Sequence, residues 1–279
     1  MKFLVIGNGF VGSAVSVTLN RIHDVLIQDP PQGLEVDYSE HPDLDGAIIC
    51  VPTPSDDYGN CDDSLVIDYY SDLRQEYPTL PIMIKSTTSI QTLHSLDTYC
   101  DENLIFSPEF LTAANAVEEF SNPKFVIMSG YGLKASLFWG DNVFSKFVKD
   151  LDKIFYIDKM SDAGFVKYGI NSFLAMKVTF FNELYRMYNA TGFDGDFKNV
   201  TEAMALDERI GSSHMDVPGP DGKFGWGGAC FPKDTSELLV YAELINSPLQ
   251  LLNKAVELNM EHRNETISML HIQFNCFVQ

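Results

Sequence analysis

Lys2-Phe-Leu-Val-Ile-Gly7-Asn-Gly-Phe-Val-Gly12 opens the chain, followed by a helically spaced run over 13–19 and then by Asp24-Val-Leu-Ile-Gln-Asp29. A short apolar run rich in Val, Ile and Leu reads as a buried strand. The order is therefore strand, G-x-G-x-x-G, helix, strand, acid. Gly7 makes the tight turn, Gly9 lets the backbone approach a pyrophosphate, and Gly12 lets helix and strand pack closely. The helix N-terminus offers unpaired N–H groups and a positive dipole end to the phosphates. Asp29, 17 residues after Gly12, can accept ribose hydroxyls, and its charge repels a 2′-phosphate. The stretch predicts a dinucleotide site that favours NAD over NADP.

The pattern repeats outward from this start. Residues 30–45 carry three prolines and several acids and read as a loop or an abbreviated βαβ unit. Buried-strand runs recur at 46–51, 81–88, 103–111, 125–129 and 153–157, with helical runs at 64–77 and 133–149. Alternating strands and helices predict a Rossmann-type, doubly wound parallel α/β sheet over residues 1–158. Thr53, Thr87 and Glu109 stand at strand C-terminal ends, the edge where such sheets bind ligands.

Residues 159–270 read as an all-helical domain, with a tail at 271–279. One long helix covers 161–190, with Ser161 able to cap it and Asp162 suited to its first turn. Lys167 and Asn171, four apart, share a face of that helix. They are either a solvated edge or a cation and an amide aimed at a developing oxyanion. Further helices are expected over 194–208, from the Asp234-Thr-Ser-Glu237 capping box onward, and from about Pro248 into Ile267. In the Pro/Gly-rich loop 212–223, His214 reads as a packing residue rather than a general base, because no carboxylate partner is evident.

Phe224-Gly-Trp-Gly-Gly-Ala-Cys-Phe-Pro-Lys-Asp234 carries the chemistry of this half. Gly225, Gly227 and Gly228 allow close backbone approach, and Pro232 stiffens the turn after the sulfur. A cation such as Lys233 near Cys230 favours the nucleophilic thiolate. A lone Cys is usually an inert small hydrophobe, but these surroundings are polar and glycine-rich.

Composition narrows the function classes. The chain has 279 residues, enough for two domains, and its formal charge is −20, from 19 basic and 39 acidic residues. Such a surface disfavours nucleic acid and anionic membranes as partners. Five cysteines at 50, 61, 100, 230 and 276 form an odd set without CxxC spacing, which argues against disulfides or a zinc site and suits a reducing cytoplasm. The N-terminus reads as a first strand rather than a signal peptide, and no apolar run approaches the roughly 20 residues of a membrane span.

Taken together, Gly7–Gly12, Thr53-Pro54 with Gly59, Lys85-Ser-Thr87, Ser107-Pro-Glu-Phe-Leu111, Lys167-x-x-x-Asn171 with Asn182-Glu183, Asp207-Glu-Arg-Ile-Gly211 and the Cys230 stretch make the chain resemble the UDP-glucose/GDP-mannose dehydrogenase family over residues 1 to about 265. The resemblance implies oxidation of a nucleotide-sugar C6 hydroxyl to a carboxylate, with NAD as oxidant and Cys230 as covalent nucleophile. It implies Lys167 and Asn171 as oxyanion donors, Glu109 as base in the hydrolytic step, and Asp234 with Thr87 orienting water and relaying protons. By the same resemblance Gly7, Gly9, Phe10, Val11, Gly12, Asp29, Thr53, Thr87 and Lys233 would hold the cofactor. Phe110, Leu111, Lys167, Asn171, Phe224 and Gly225 would contact the sugar. Arg209 would reach a partner subunit's substrate, in a homodimer built on the long helix 161–190. No metal is implied. Two departures from the family pattern are expected: Ala113 stands where family members often carry a second Glu, and the chain is expected to lack the family's C-terminal nucleotide-binding domain. Two other classes fit parts of the sequence: a two-electron 3-hydroxyacid-type dehydrogenase, which would not use Cys230, and a non-enzymatic NAD-binding protein.

Overall fold

The computed structural model describes residues 1–112 and 115–264. Ala113, the tail 271–279 and the end of the last expected helix lie outside the described residues. The chain divides into two compact units, Met1–Lys167 and Tyr168–Gln279.

The first unit is a seven-stranded sheet in the order β2-β1-β3-β4-β5-β6-β7, with β1 at Lys2–Ile6, β2 at Asp24–Gln28, β3 at Gly46–Ile49, β4 at Ile82–Ile84, β5 at Leu104–Phe106, β6 at Val126–Ser129 and β7 at Ile154–Ile157. The apolar runs become strands because both sheet faces are covered. Phe3 and Val5 enter one core with Ile48, Met83 and Trp139, while Leu4 and Ile6 enter another with Ile49, Ile84 and Phe106. The chain reverses its direction of growth between β1, which pairs with β2, and β3, which pairs with β1 on its other side. Ligands bind at such a switch point. Residues 30–45 form no strand, only two 3₁₀ turns at Pro30–Gln32 and Tyr38–Glu40, so β2 is the edge of the sheet.

The helices are α1 (Phe10–Leu19), α2 (Ser64–Glu76), α3 (Ile90–Thr98), α4 (Ala116–Ser121) and α5 (Lys134–Asn142). Helix α5 and the sheet each differ from expectation. The run 133–149 breaks after Asn142 into a 3₁₀ turn at Phe144–Lys146, where Gly140, Asp141 and Asn142 are weak helix formers. The sheet is also not wholly parallel, because β6 pairs antiparallel to β5 through Phe106 and Ser129.

The long helix α6 runs Met160–Ala190, as its periodicity predicts. Its start is capped from α3: the Asp97 carboxylate accepts the N–H groups of Met160 (2.8 Å) and Ser161 (3.1 Å) and the Ser161 hydroxyl (2.7 Å).

The second unit contains the rest of α6 with α7 (Phe197–Met204), α8 (Phe231–Leu244) and α9 (Gln250–Asn264). Phe181, Phe197 and Met215 form one buried cluster there. Helix α7 is shorter than the 194–208 pattern, because the Asp196 carboxylate accepts the Lys198 N–H and fixes its start. Helix α8 starts earlier than the capping box at Asp234 suggests: its first residue is Phe231, with Cys230 at the cap position. Pro232 is tolerated in that first turn because N–H groups there need no intrahelical partner.

Candidate active site

In the first unit the glycine loop has the geometry its motif requires. Gly7 sits at φ +87°, and a Cβ there would meet the Cys50 carbonyl oxygen at 2.6 Å. A Cβ on Gly12 would come 1.8 Å from the Gly7 oxygen, so strand and helix could not pack. At Gly9 no protein atom lies within 4 Å of the Cβ position, which leaves open space at the N-cap of α1, and no side chain caps that helix start. Open space beside uncapped N–H groups fits a pyrophosphate. Asp29 is buried at the end of β2, and one of its oxygens accepts the Asn8 N–H at 2.6 Å, tying the acid to the loop. Phe10 is exposed and Val11 half-buried beside the open space, while Thr53 is buried beyond β3.

Thr87 and Glu109 lie past the ends of β4 and β5, which stop at Ile84 and Phe106. The Thr87 carbonyl accepts the Cys61 thiol at 3.7 Å. Glu109 is the centre of a dense group. Its Oε2 lies 3.0 Å from Nζ of the buried Lys85, and its Oε1 accepts the Phe110 N–H at 2.9 Å. The Glu109 main-chain carbonyl accepts a short hydrogen bond from Lys167 Nζ, whose ammonium also lies 5.2 Å from the centre of the Phe110 ring. Leu111 follows, half-buried against the core. Lys167 therefore belongs to a built polar cluster rather than to a solvated helix edge. Cys50, just behind the glycine loop, is of a different kind: burial pushes its thiol up to about 12, opposed by the Lys85 cation and aided by the Glu109 carboxylate.

In the second unit Asn171 Nδ2 donates a short hydrogen bond to Asp234 Oδ2. Asp234 is 1% exposed, and its Oδ1 lies 2.9 Å from Lys233 Nζ, so one buried carboxylate joins an amide of α6 to a cation of α8. Cys230 is exposed at the cap of α8, where the dipole favours negative charge.

The loop before Cys230 is held by residues that sequence reading gave no role. Gly225 N–H donates to Asn182 Oδ1 (2.9 Å), Trp226 N–H to Asn259 Oδ1 (2.7 Å), and the Trp226 indole to Thr179 (3.0 Å). Asn259 also donates to the Trp226 carbonyl at 3.0 Å. Asn182 stands in a quoted motif, whereas Asn259 and Thr179 carry no local signal. The Phe224 side chain is buried against Tyr185, which leaves its backbone, not its ring, for any sugar contact.

Arg209 is exposed and folded back on Asp207, with Nη2 to Oδ2 at 2.6 Å. Buried Lys177, also unflagged by the sequence, donates to the Ile210 (3.0 Å) and Gly211 (2.9 Å) carbonyls and so pins the loop that carries Arg209. His214 packs against the Phe231 ring, 5.6 Å between centres, as expected of a packing residue. Among the described residues no cluster of His, Cys, Asp or Glu is arranged to hold a metal, and no helix is long and apolar enough to cross a membrane.

Comparisons with known proteins give the same reading at the level of family. Residues 32–147 match the NAD-binding domain, and residues 161–261 the central domain, of the UDP-glucose/GDP-mannose dehydrogenase family. The chain is 28% identical to a UDP-glucose 6-dehydrogenase of Campylobacter jejuni, over 98% of this chain and 75% of that protein. In structure it resembles a UDP-glucose dehydrogenase of Pyrobaculum islandicum (TM-score 0.74, 23% identity, covering 93% of this chain and 68% of that one). It also resembles a Mycobacterium tuberculosis 3-hydroxyisobutyrate dehydrogenase (TM-score 0.70, 16% identity, 98% of both chains), a likeness of fold alone. The glycine loop lies in the same compact unit as the matched NAD-binding domain, and the cofactor is NAD.

Proposed function

Because the chain belongs to the UDP-glucose/GDP-mannose dehydrogenase family, we propose that it oxidises the C6 hydroxyl of a nucleotide sugar to a carboxylate, with UDP-glucose the first candidate. The observation that carries this reading is Cys230, exposed at the cap of α8 and followed in the first turn by the buried Asp234, whose two oxygens meet Asn171 and Lys233. An inert structural cysteine needs no such setting.

Bound NAD is the hydride acceptor in both oxidations, with Gly7, Gly9, Phe10, Val11, Gly12, Asp29, Thr53, Thr87 and Lys233 as its contacts. The residues do the rest. Once the alcohol has become an aldehyde, the Cys230 sulfur adds to its carbonyl carbon and the oxygen gains a proton, giving a thiohemiacetal that cannot diffuse away. Its oxidation gives a thioester. Water then adds to that carbonyl, its proton passes to Glu109, the C–S bond breaks, and Cys230 is returned as thiolate beside a carboxylate product. Both additions put negative charge on oxygen. Lys167 and Asn171 are the donors for that charge, and loss of one such donor costs about 3–4 kcal/mol in a water-poor site. Asp234 holds the Asn171 amide and, with Thr87, orients water. Phe110, Leu111 and the Phe224-Gly225 backbone contact the sugar. Arg209 reaches the substrate of a second subunit in a homodimer built on α6. Phe173, Phe180 and Met187, exposed at seven-residue intervals on that helix, support the dimer.

NADH formation from UDP-glucose, GDP-mannose and UDP-N-acetylhexosamines, with intact-mass analysis of the protein during turnover, tests the reading. It expects NADH with at least one of them and a sugar adduct that maps to Cys230. NAD binding without NADH from any of them would contradict it.

A further inference from the structure

We infer that Lys85 is a positioning residue for the hydrolytic half of the reaction, acting through Glu109; this rests on the function proposed above. Lys85 follows β4 and is buried. Its ammonium lies 3.0 Å from Glu109 Oε2 and donates to the Ser107 carbonyl at 3.1 Å, while the Phe120 and Phe144 rings approach it at 5.5 and 5.7 Å. Each carboxylate oxygen has two acceptor sites. Lys85 holds Oε2 as an ion pair and the Phe110 N–H donates to Oε1, so the carboxylate is tied at both oxygens and keeps acceptor capacity for a water proton. The same residue's carbonyl holds Lys167 Nζ. Lys85 thus fixes, through one neighbour, both the base and the backbone that seats the oxyanion donor.

Stability alone gives no reason for this arrangement. Replacing a buried ion pair by apolar groups of like volume is often neutral or stabilising, and a methionine would fill the space between Phe120 and Phe144. The charge has a use only if the orientation of Glu109 matters.

The test combines Lys85→Met, Lys85→Arg and Glu109→Gln. Lys85→Met should lower kcat about 100-fold, the size of a general-base contribution, with KM for the sugar nucleotide within about threefold. Covalent adduct should accumulate on Cys230, because hydrolysis is the slowed step. In the Glu109→Gln background the same change should alter kcat by less than about threefold, since residues acting through one group are not additive. Lys85→Arg should restore kcat to within about tenfold of wild type, because it keeps the charge. Hydrogen exchange reads the position without turnover: the Phe110 amide should exchange about tenfold faster in Lys85→Met and stay protected in Lys85→Arg. Additive losses, unchanged Phe110 exchange in Lys85→Met, or Lys85→Arg that keeps Phe110 protected yet loses about 100-fold in kcat would each overturn the inference. If Lys85→Met does not fold, Lys85→Arg carries the decision. If wild type makes no NADH from any nucleotide sugar, the proposed function falls, and Phe110 exchange still decides whether Lys85 holds Glu109.

Discussion

Asp97→Ala should weaken the start of α6, the helix that carries Lys167 about 10 Å further along. The Asp97 carboxylate is 5% exposed and accepts three hydrogen bonds, two of them from N–H groups that have no partner inside the helix. A hydrogen bond to a charged group contributes about 1.5–3 kcal/mol net, and the charge at the helix N-terminus up to about 2 kcal/mol. The three bonds share one carboxylate, so their contributions are not additive. Ser161 is only partly buried, so water can replace part of what it loses. About 3 kcal/mol is the expected loss, which at this chain length lowers Tm by roughly 6–12 °C. Asp97→Asn keeps one oxygen acceptor and the side-chain volume but loses the charge, and should cost only about 1 kcal/mol. Urea titration followed by circular dichroism, with calorimetry for Tm, separates the two variants. A Tm for Asp97→Ala within about 2 °C of wild type would refute the capping argument. So would an Asn variant as unstable as the Ala variant, because the charge alone would then carry the effect.

Other outcomes follow from the same geometry. Gly9→Ala should fold as wild type, because its Cβ meets nothing within 4 Å, yet bind NAD about 10-fold or more weakly by isothermal titration; Gly12→Ala should fail at the level of folding, because its Cβ meets the Gly7 oxygen at 1.8 Å. Alkylation of the folded protein at pH 8 should label the exposed Cys230 and Cys100 and spare Cys50, whose thiol is pushed up to about 12; labelled Cys50 by peptide mass analysis would contradict its burial. Burial, with the Lys177 cation second, holds His214 below its ordinary 6.5, so His214 contributes stability that is present above that value and lost as pH falls through it and below. The drop in Tm between pH 7.5 and 5.5 should therefore be smaller in His214→Asn, a residue that also tolerates the φ of +62° there. Phe180→Glu should shift the protein towards monomer by analytical ultracentrifugation if α6 is the dimer element, and an unchanged mass would remove that face from the interface.

Much of the fold is legible because its signals are local. The run Phe3 to Ile6 is apolar on both faces, which only a covered sheet explains, and Gly7, Gly9 and Gly12 each answer to one steric demand. The 31-residue α6 is equally plain in its period. What the sequence does not declare depends on partners distant in the chain. Helix α3 has only nine residues, with Ser and Thr at several of them, and is stabilised by burying Ile90, Leu93 and Leu96. The antiparallel pairing of β6 with β5, made through Phe106 and Ser129, leaves no mark in the composition of β6. In the site, Lys167 and Asn171 are visible as a pair by spacing, but their acceptors, the Glu109 carbonyl and the Asp234 carboxylate, are 58 and 63 residues away. Asn259, 33 residues from Trp226, stands in an ordinary polar helix pattern and declares its role only when its amide meets that backbone. The capping box at Asp234 misplaces the helix start, because Pro232 lets the first turn begin at Phe231 and so leaves the thiol at the cap.

In the proposed reaction Cys230 carries a covalent intermediate through two oxidations. NADH formed per molecule of nucleotide sugar consumed, in wild type and in Cys230→Ser, tests it most directly. Two NADH per sugar are expected in wild type, with loss or stalling of turnover in the variant. One NADH per sugar, unchanged in Cys230→Ser, would contradict it and leave a two-electron dehydrogenase on the same fold.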